Sequence, residues 1–233
     1  ISSDQARAVI AAKQDAIVTL RGSVKFNCGH CPQTHDEDIE CVATLVDPAG
    51  FAVCGSGGKA ADRKYEEQRL NFILRDGTEV PARIVLQDDD LMLTVLVPAA
   101  KPGTPLPVLS ALPLKANVKA KLFDDVLAIN RLDREHHNVI TADTGKIAAC
   151  ITQPRVFYLT DVNPGGSSLG VPTFLADGRL LGVLARQTPT STKQRRSRES
   201  VAGAGDGLHV VPAAALAELV AQARKVAAKT ESK

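Results

Sequence analysis

The sequence predicts an all-β protein, a sandwich or a pair of barrels, with one helix at each end. Three observations carry this. Short apolar runs recur along the chain, separated by turn residues at intervals of about 8–12 residues. The stretch 98–107 holds four prolines and a glycine, and divides the chain into two halves. No self-similarity appears at a period of about 20–50 residues, which argues against a repeat architecture.

The elements follow in order. Ser2 to Lys13 reads as a short helix, because Ser3 or Asp4 can cap it and Ala6, Val9, Ile10 and Lys13 recur at helical spacing. Ala16 to Leu20 is a strand that Ser23 to Phe26 can continue beyond Gly22. Asn27 to Glu40 is polar and reads as a long loop. Cys41 to Val46 and Phe51 to Cys54 form a hairpin around Asp47-Pro48-Ala49-Gly50, a good β-turn sequence. Gly55 to Lys64 is glycine-rich and irregular. Arg69 to Leu74 and Val80 to Leu86 form a second hairpin around Asp76-Gly77. Leu91 to Val97 is read as apolar throughout, and so as a buried strand.

Beyond the proline-rich connector, Val108 to Ala111, Asp125 to Asn130, Lys146 to Cys150 and Phe157 to Thr160 read as strands. Two strands then flank the Asp177-Gly178 turn. Leu208 to Val211 is the last strand, and Pro212 to Ala228 closes the chain as an alanine-rich helix with Pro212 at its first position. The domain boundaries expected are a helix over 1–15, a first barrel over 16–100, a linker over 101–107, a second barrel over 108–211 and a helix over 212–233.

Composition narrows the function classes. With 233 residues the chain suits one large domain or two small ones. Apolar residues make up 44% and charged residues 23%, which excludes a disordered chain. The net charge of +2 points to no nucleic-acid partner. Thr188 to Gly205 carries Lys193, Arg195, Arg196 and Arg198, and reads as a solvated mobile loop, with binding of nucleic acid or an acidic partner as the alternative. No apolar run approaches the roughly 18 residues of a membrane span. Ile1 opens the sequence, as either removal of a signal peptide or truncation would leave it.

Cysteines form the densest cluster of reactive side chains. Of the five, Cys28, Cys31, Cys41 and Cys54 lie in the first quarter of the chain and Cys150 stands apart. Cys28, Cys31, His35 and Cys41 could together ligate zinc tetrahedrally. In an exported chain the same thiols would form disulfides. Cys28-Gly29-His30-Cys31 also has the form of a redox dithiol, but such dithiols open a helix after a strand, and this one lies between strands. Cys150, in an apolar run, is expected to be a small buried hydrophobe. Apart from zinc, no cofactor is expected.

The glycine-rich turn Asn163-Pro164-Gly165-Gly166-Ser167-Ser168-Leu169-Gly170-Val171-Pro172 can present a serine hydroxyl and converging backbone N–H groups, as acyl transfer requires. With Val46-Asp47-Pro48-Ala49-Gly50-Phe51, the Arg75-Asp76-Gly77 to Val85 hairpin, Asp124-Asp125-Val126-Leu127-Ala128-Ile129, the Asp177-Gly178 turn and Gly207-Leu208-His209-Val210-Val211-Pro212, this turn resembles the trypsin-like serine proteases of the HtrA/Deg type. The resemblance spans most of the chain, with its pieces in the family's order. It implies two perpendicular six-stranded β-barrels with a cleft between them, a protein or peptide partner, and a periplasmic or secreted location. The oligomeric state is unspecified.

The resemblance does not bring an intact catalytic triad. Counting on from Asp47-Pro48-Ala49-Gly50-Phe51, the histidine's place falls on Gly57. The aspartate's place falls on Met92, unless a slip of two residues brings in Asp90. Counting forward from Asn163, the nucleophile is Ser167, with Gly165 and Ser167 supplying the oxyanion hole. Counting back from Pro172, the same place is Leu169, so the turn is two residues too long. A serine without its base is a weak nucleophile. The resemblance therefore implies an inactive protease homologue that serves as a binding or scaffold module. Two alternatives remain: an active endopeptidase using Ser167 with His136 or His137 as its base, and a metal- or thiol-binding module built on the same fold.

Overall fold

The structure, a computed structural model, describes residues 1–27, 33–55, 64–99, 105–165, 169–186 and 208–231. The first barrel comprises β1 (Ile17–Asn27), β2 (Thr34–Leu45), β3 (Ala52–Gly55), β4 (Lys64–Ile73), β5 (Glu79–Asp88) and β6 (Leu93–Pro98). It closes in the order β1-β2-β3-β6-β5-β4. The second comprises β7 (Asp125–Arg131), β8 (Ile140–Ile151), β9 (Phe157–Thr160), β10 (Pro172–Leu175), β11 (Leu180–Arg186) and β12 (Leu208–Pro212). Its order, β7-β8-β9-β12-β11-β10, repeats that of the first. The all-β fold and the pair of six-stranded antiparallel barrels expected from the sequence are both present.

Strand alternation explains how the two barrels share their cores. In β6, Leu96 faces the main cluster inside the barrels, whereas Leu93, Val95 and Val97 face a second cluster outside. In β11, Leu181 and Leu184 point inward while Val183 and Ala185 point outward. Helix α2 (Ala213–Glu231) covers this outer cluster. Its Leu216, Leu219, Val220, Ala223 and Ala227 recur at helical spacing and pack on Val53, Val95 and Val97 of the first barrel and on Val183 and Val211 of the second. A strand buried on both faces cannot alternate apolar with polar, which is why 91–97 reads as one apolar run.

Helix α1 (Ser3–Lys13) lies against the second barrel, with Val9 beneath the Gly178 turn. Its cap is Ser2, not Ser3 or Asp4. The Ser2 hydroxyl accepts from the Gln5 N–H, and the Gln5 side chain accepts from the Ser2 N–H. Among the described residues, no helix is long and apolar enough to cross a membrane.

Other expectations need correction. β1 runs unbroken through Gly22 to Asn27 and pairs with a β2 that begins at Thr34, so the outer part of 27–40 is a ladder and not a loop. Val108 to Ala111 forms no strand; Val108 is 98% exposed, and the segment is tied down by Leu112, whose N–H donates to the Leu45 carbonyl. Pro212 ends β12 opposite Gly182, and the helix starts one residue later. Cys150 is exposed on β8, with its thiol 3.6 Å from the Ala120 carbonyl. The basic run from Lys193 to Arg198 lies outside the described residues.

Candidate functional site

The loop from β9 to β10 leaves the second barrel along one limb and returns along another, and each limb is anchored. On the outgoing limb, the Asn163 N–H donates to the Asp143 carboxylate at 2.6 Å. The Pro164 carbonyl accepts from the Thr141 hydroxyl at 3.0 Å, and the Gly165 carbonyl accepts from Asn130 Nδ2 at 2.6 Å. These bonds hold Gly165 against β7 and β8. Gly166, Ser167 and Ser168 lie outside the described residues, and so does Gly57.

The returning limb docks on the first barrel. The Gly170 N–H donates to the Leu184 carbonyl at 2.7 Å, and the Gly170 carbonyl accepts a buried bond from the Thr44 hydroxyl at 2.8 Å. Gly170 has φ +82°, and a Cβ there would come within 2.8 Å of the Cys54 Cα. Both the backbone angle and the close approach require glycine. Just before it, Leu169 covers Gly55 so closely that a Cβ on Gly55 would meet the Leu169 Cβ at 2.1 Å. Leu169 occupies the nucleophile's place when the turn is counted back from Pro172.

The position that the resemblance assigns to the aspartate is apolar. Met92 is only 9% exposed and adopts φ +54° immediately before β6. A thioether cannot hold a histidine in one tautomer, as a carboxylate does. Asp90 is engaged elsewhere: its carboxylate accepts from Arg155 Nη2 at 2.8 Å. Its own N–H and that of Leu91 donate to the Asp88 carboxylate, which fixes the turn.

The two histidines proposed as replacement bases sit in the loop after β7. His136 Nδ1 lies 2.6 Å from Asp133 Oδ1, and this hydrogen bond holds the imidazole pKa above its ordinary value. The same bond lowers the Asp133 pKa. His137 follows in left-handed backbone and lines a cavity between the barrels. Neither side chain bonds to a described residue of 161–170.

The proposed zinc ligands are not brought together as one set. His35 stacks on Phe26, with ring centroids 5.5 Å apart, and Cys41 lies six residues further along the same strand. Six residues of β-strand span roughly 20 Å, too far for one tetrahedral ion. Cys28 and Cys31 lie outside the described residues. Among the described residues, no three candidate ligands cluster. What the structure does bring together is Cys41 and Cys54. Cys54 pairs with Ala43 across β2 and β3, so Cys41 lies diagonally across from it on the same face. The thiol–thiol hydrogen bond, and then burial, hold the Cys54 pKa well above its ordinary value.

Two features of this region were missed in the sequence. The Leu169–Gly55 contact was signalled only by the backward count from Pro172. The other feature is Arg131, which ends the apolar run of β7 yet is 5% exposed; a charged residue closing a buried strand is its only sequence signal.

Compared with known proteins, the chain matches no family model and no curated protein. The class therefore rests on architecture. Two closed six-stranded antiparallel barrels, with one repeated strand order and an inter-barrel loop from the second, are consistent with the chymotrypsin-like fold.

Proposed function

We propose that this chain is a trypsin-like protease homologue of the HtrA/Deg type that has lost catalysis and binds a protein or peptide partner. The observation that carries the reading is Leu169 seated on Gly55, an apolar contact at one of the two places where a nucleophile is expected. Met92 at the aspartate's place supports it independently. The family resemblance and the cysteine content support a periplasmic or secreted setting.

The test is a fluorophosphonate probe together with a labelled unfolded polypeptide. The expected result is no labelling of Ser167 or Ser168 and recovery of the polypeptide intact. Labelling of either serine at the rate of an ordinary serine hydrolase overturns the reading. That outcome would favour an active endopeptidase, for which the Asp133–His136 pair is the relevant observation, because its Nδ1 bond leaves Nε2 available as a base.

A further inference from the structure

Arg131 ends β7 inside the protein, 5% exposed. Its backbone N–H donates to Asn130 Oδ1, but among the described residues its guanidinium has neither a hydrogen-bond acceptor nor an ion-pair partner. Nε is fully buried and unsatisfied. A guanidinium carries five donors and stays charged in proteins. Buried charges are normally paired, because an unpaired one forfeits its hydration without compensation. The missing counterpart is an acceptor with negative charge.

The surroundings define that counterpart. Arg131 lines a cavity of about 370 Å³ between the two barrels. Gln14 and Arg75 contribute from the first half of the chain, and His137 and Asn138 from the second. Every polar side chain in that lining can donate a hydrogen bond, and no carboxylate is among them. Asp15, which is not among the lining residues, pairs with Arg75 at 3.2 Å. Arg75 adds repulsion to the burial that already disfavours the Arg131 charge, and Asp15 only partly offsets it.

The loop is fixed in this arrangement. His137 and Asn138 are consecutive left-handed residues, with φ +55° and +53°. The Asn138 N–H donates to the Asp133 carbonyl, and its side-chain oxygen accepts from the Thr19 hydroxyl. That leaves the carboxamide NH₂ free to donate. Histidine and asparagine are among the non-glycine residues that favour such backbone, and the two hydrogen bonds of Asn138 hold it in place. Ile73 and Val139 add apolar wall, and the volume suits a small organic molecule.

We propose that this cavity is a binding site for a small oxyanion, the phosphate or carboxylate group of a metabolite-sized ligand, held by Arg131 and Arg75 with His137 and Asn138 as further donors. Neither Leu169 nor Gly55 lines this cavity, and anion binding is read by a different measurement from labelling of the serines.

Titration calorimetry on the full chain tests it, with inorganic phosphate and succinate as separate probes and chloride at matched ionic strength as control. The expected result is saturable binding of phosphate or succinate at millimolar concentration or below, and none of chloride. Which of the two binds separates the phosphate source from the carboxylate source. Arg131→Met should weaken binding by roughly tenfold or more, the loss expected for a charge-assisted bond. Should that variant fail to fold, Arg75→Gln alters a half-exposed side chain and should still weaken binding several-fold. Absence of saturable binding by either probe overturns the proposal, as does unchanged affinity in both variants.

Discussion

Leu169 of the second barrel lies on Gly55 of the first with no room for a methyl group between them. Gly55→Ala should therefore push the returning limb away and destabilise the protein by about 1–3 kcal/mol, as overpacking does. Urea denaturation of the variant measures this. Removing the opposing Cβ with Leu169→Gly in the same chain should cost less than the sum of the two single changes. Strict additivity would mean that the contact does not couple the barrels.

The stripe on α2 gives a second expectation. Leu216 is fully buried beneath residues from both barrels. Leu216→Ala should cost about 2–5 kcal/mol, the range for a core leucine truncated to alanine. Thermal unfolding should remain a single transition at a lower midpoint. Arg224, by contrast, pairs with Asp47 and lies 5.7 Å over the Phe51 ring from a half-exposed position. Arg224→Ala should change stability by less than about 1 kcal/mol.

Stability should also depend on pH at the start of β7. Asp125 accepts from Lys146 Nζ at 2.6 Å and from the Ile1 amino group at 2.6 Å, and these bonds lower its pKa to about 2. The unfolded value is about 3.9. The folded pKa is the lower one, so the contribution is complete above pH ~4 and is lost as pH falls toward 2. An acid titration of the unfolding midpoint should show this loss in the parent protein, and Asp125→Asn should flatten that part of the curve.

His136 behaves in the opposite sense. Its bond to Asp133 raises the folded pKa above the ordinary 6.5. The stabilisation is therefore complete below that value and disappears as pH rises through the folded pKa. Proton NMR of the imidazole should show a raised midpoint, and Asp133→Asn should return it toward the ordinary value. An unchanged midpoint in the variant would remove the pair from consideration as an oriented base.

The cysteines should differ in reactivity. Cys150 is exposed, whereas Cys54 is buried with its thiol pKa raised. Only the thiolate is alkylated. Iodoacetamide at neutral pH should modify Cys150 quickly in the folded protein and leave Cys54 untouched, as peptide mass spectrometry would show.

Much of the fold was legible because its signals are local. Asp47-Pro48-Ala49-Gly50, Asp76-Gly77 and Asp177-Gly178 each mark a hairpin that the structure contains. The outer half of β2 was not legible. Thr34 to Glu40 alternates between exposed and half-buried positions, so neither face carries an apolar pattern, and the ladder depends on β1 alongside it. A similar alternation along β8 turns Cys150 outward although Ile147 to Ile151 is apolar in sequence. In the candidate site, counting from neighbouring motifs singled out Met92, whose burial the apolar run around it already signals. Arg131 could not, because its cavity joins β7 to Leu74, Arg75 and Gly77, more than fifty positions away in the chain.

α2 has a mechanical consequence. Its apolar stripe rests on β3 and β6 of one barrel and on β11 and β12 of the other. For the barrels to swing apart, the helix would have to peel from at least one of them and bring buried leucine and valine into water. The pair is thus clasped along one side, and parting the barrels there would expose buried apolar surface. A ligand that needed the barrels to part along α2 would have to offset that exposure with its own binding energy.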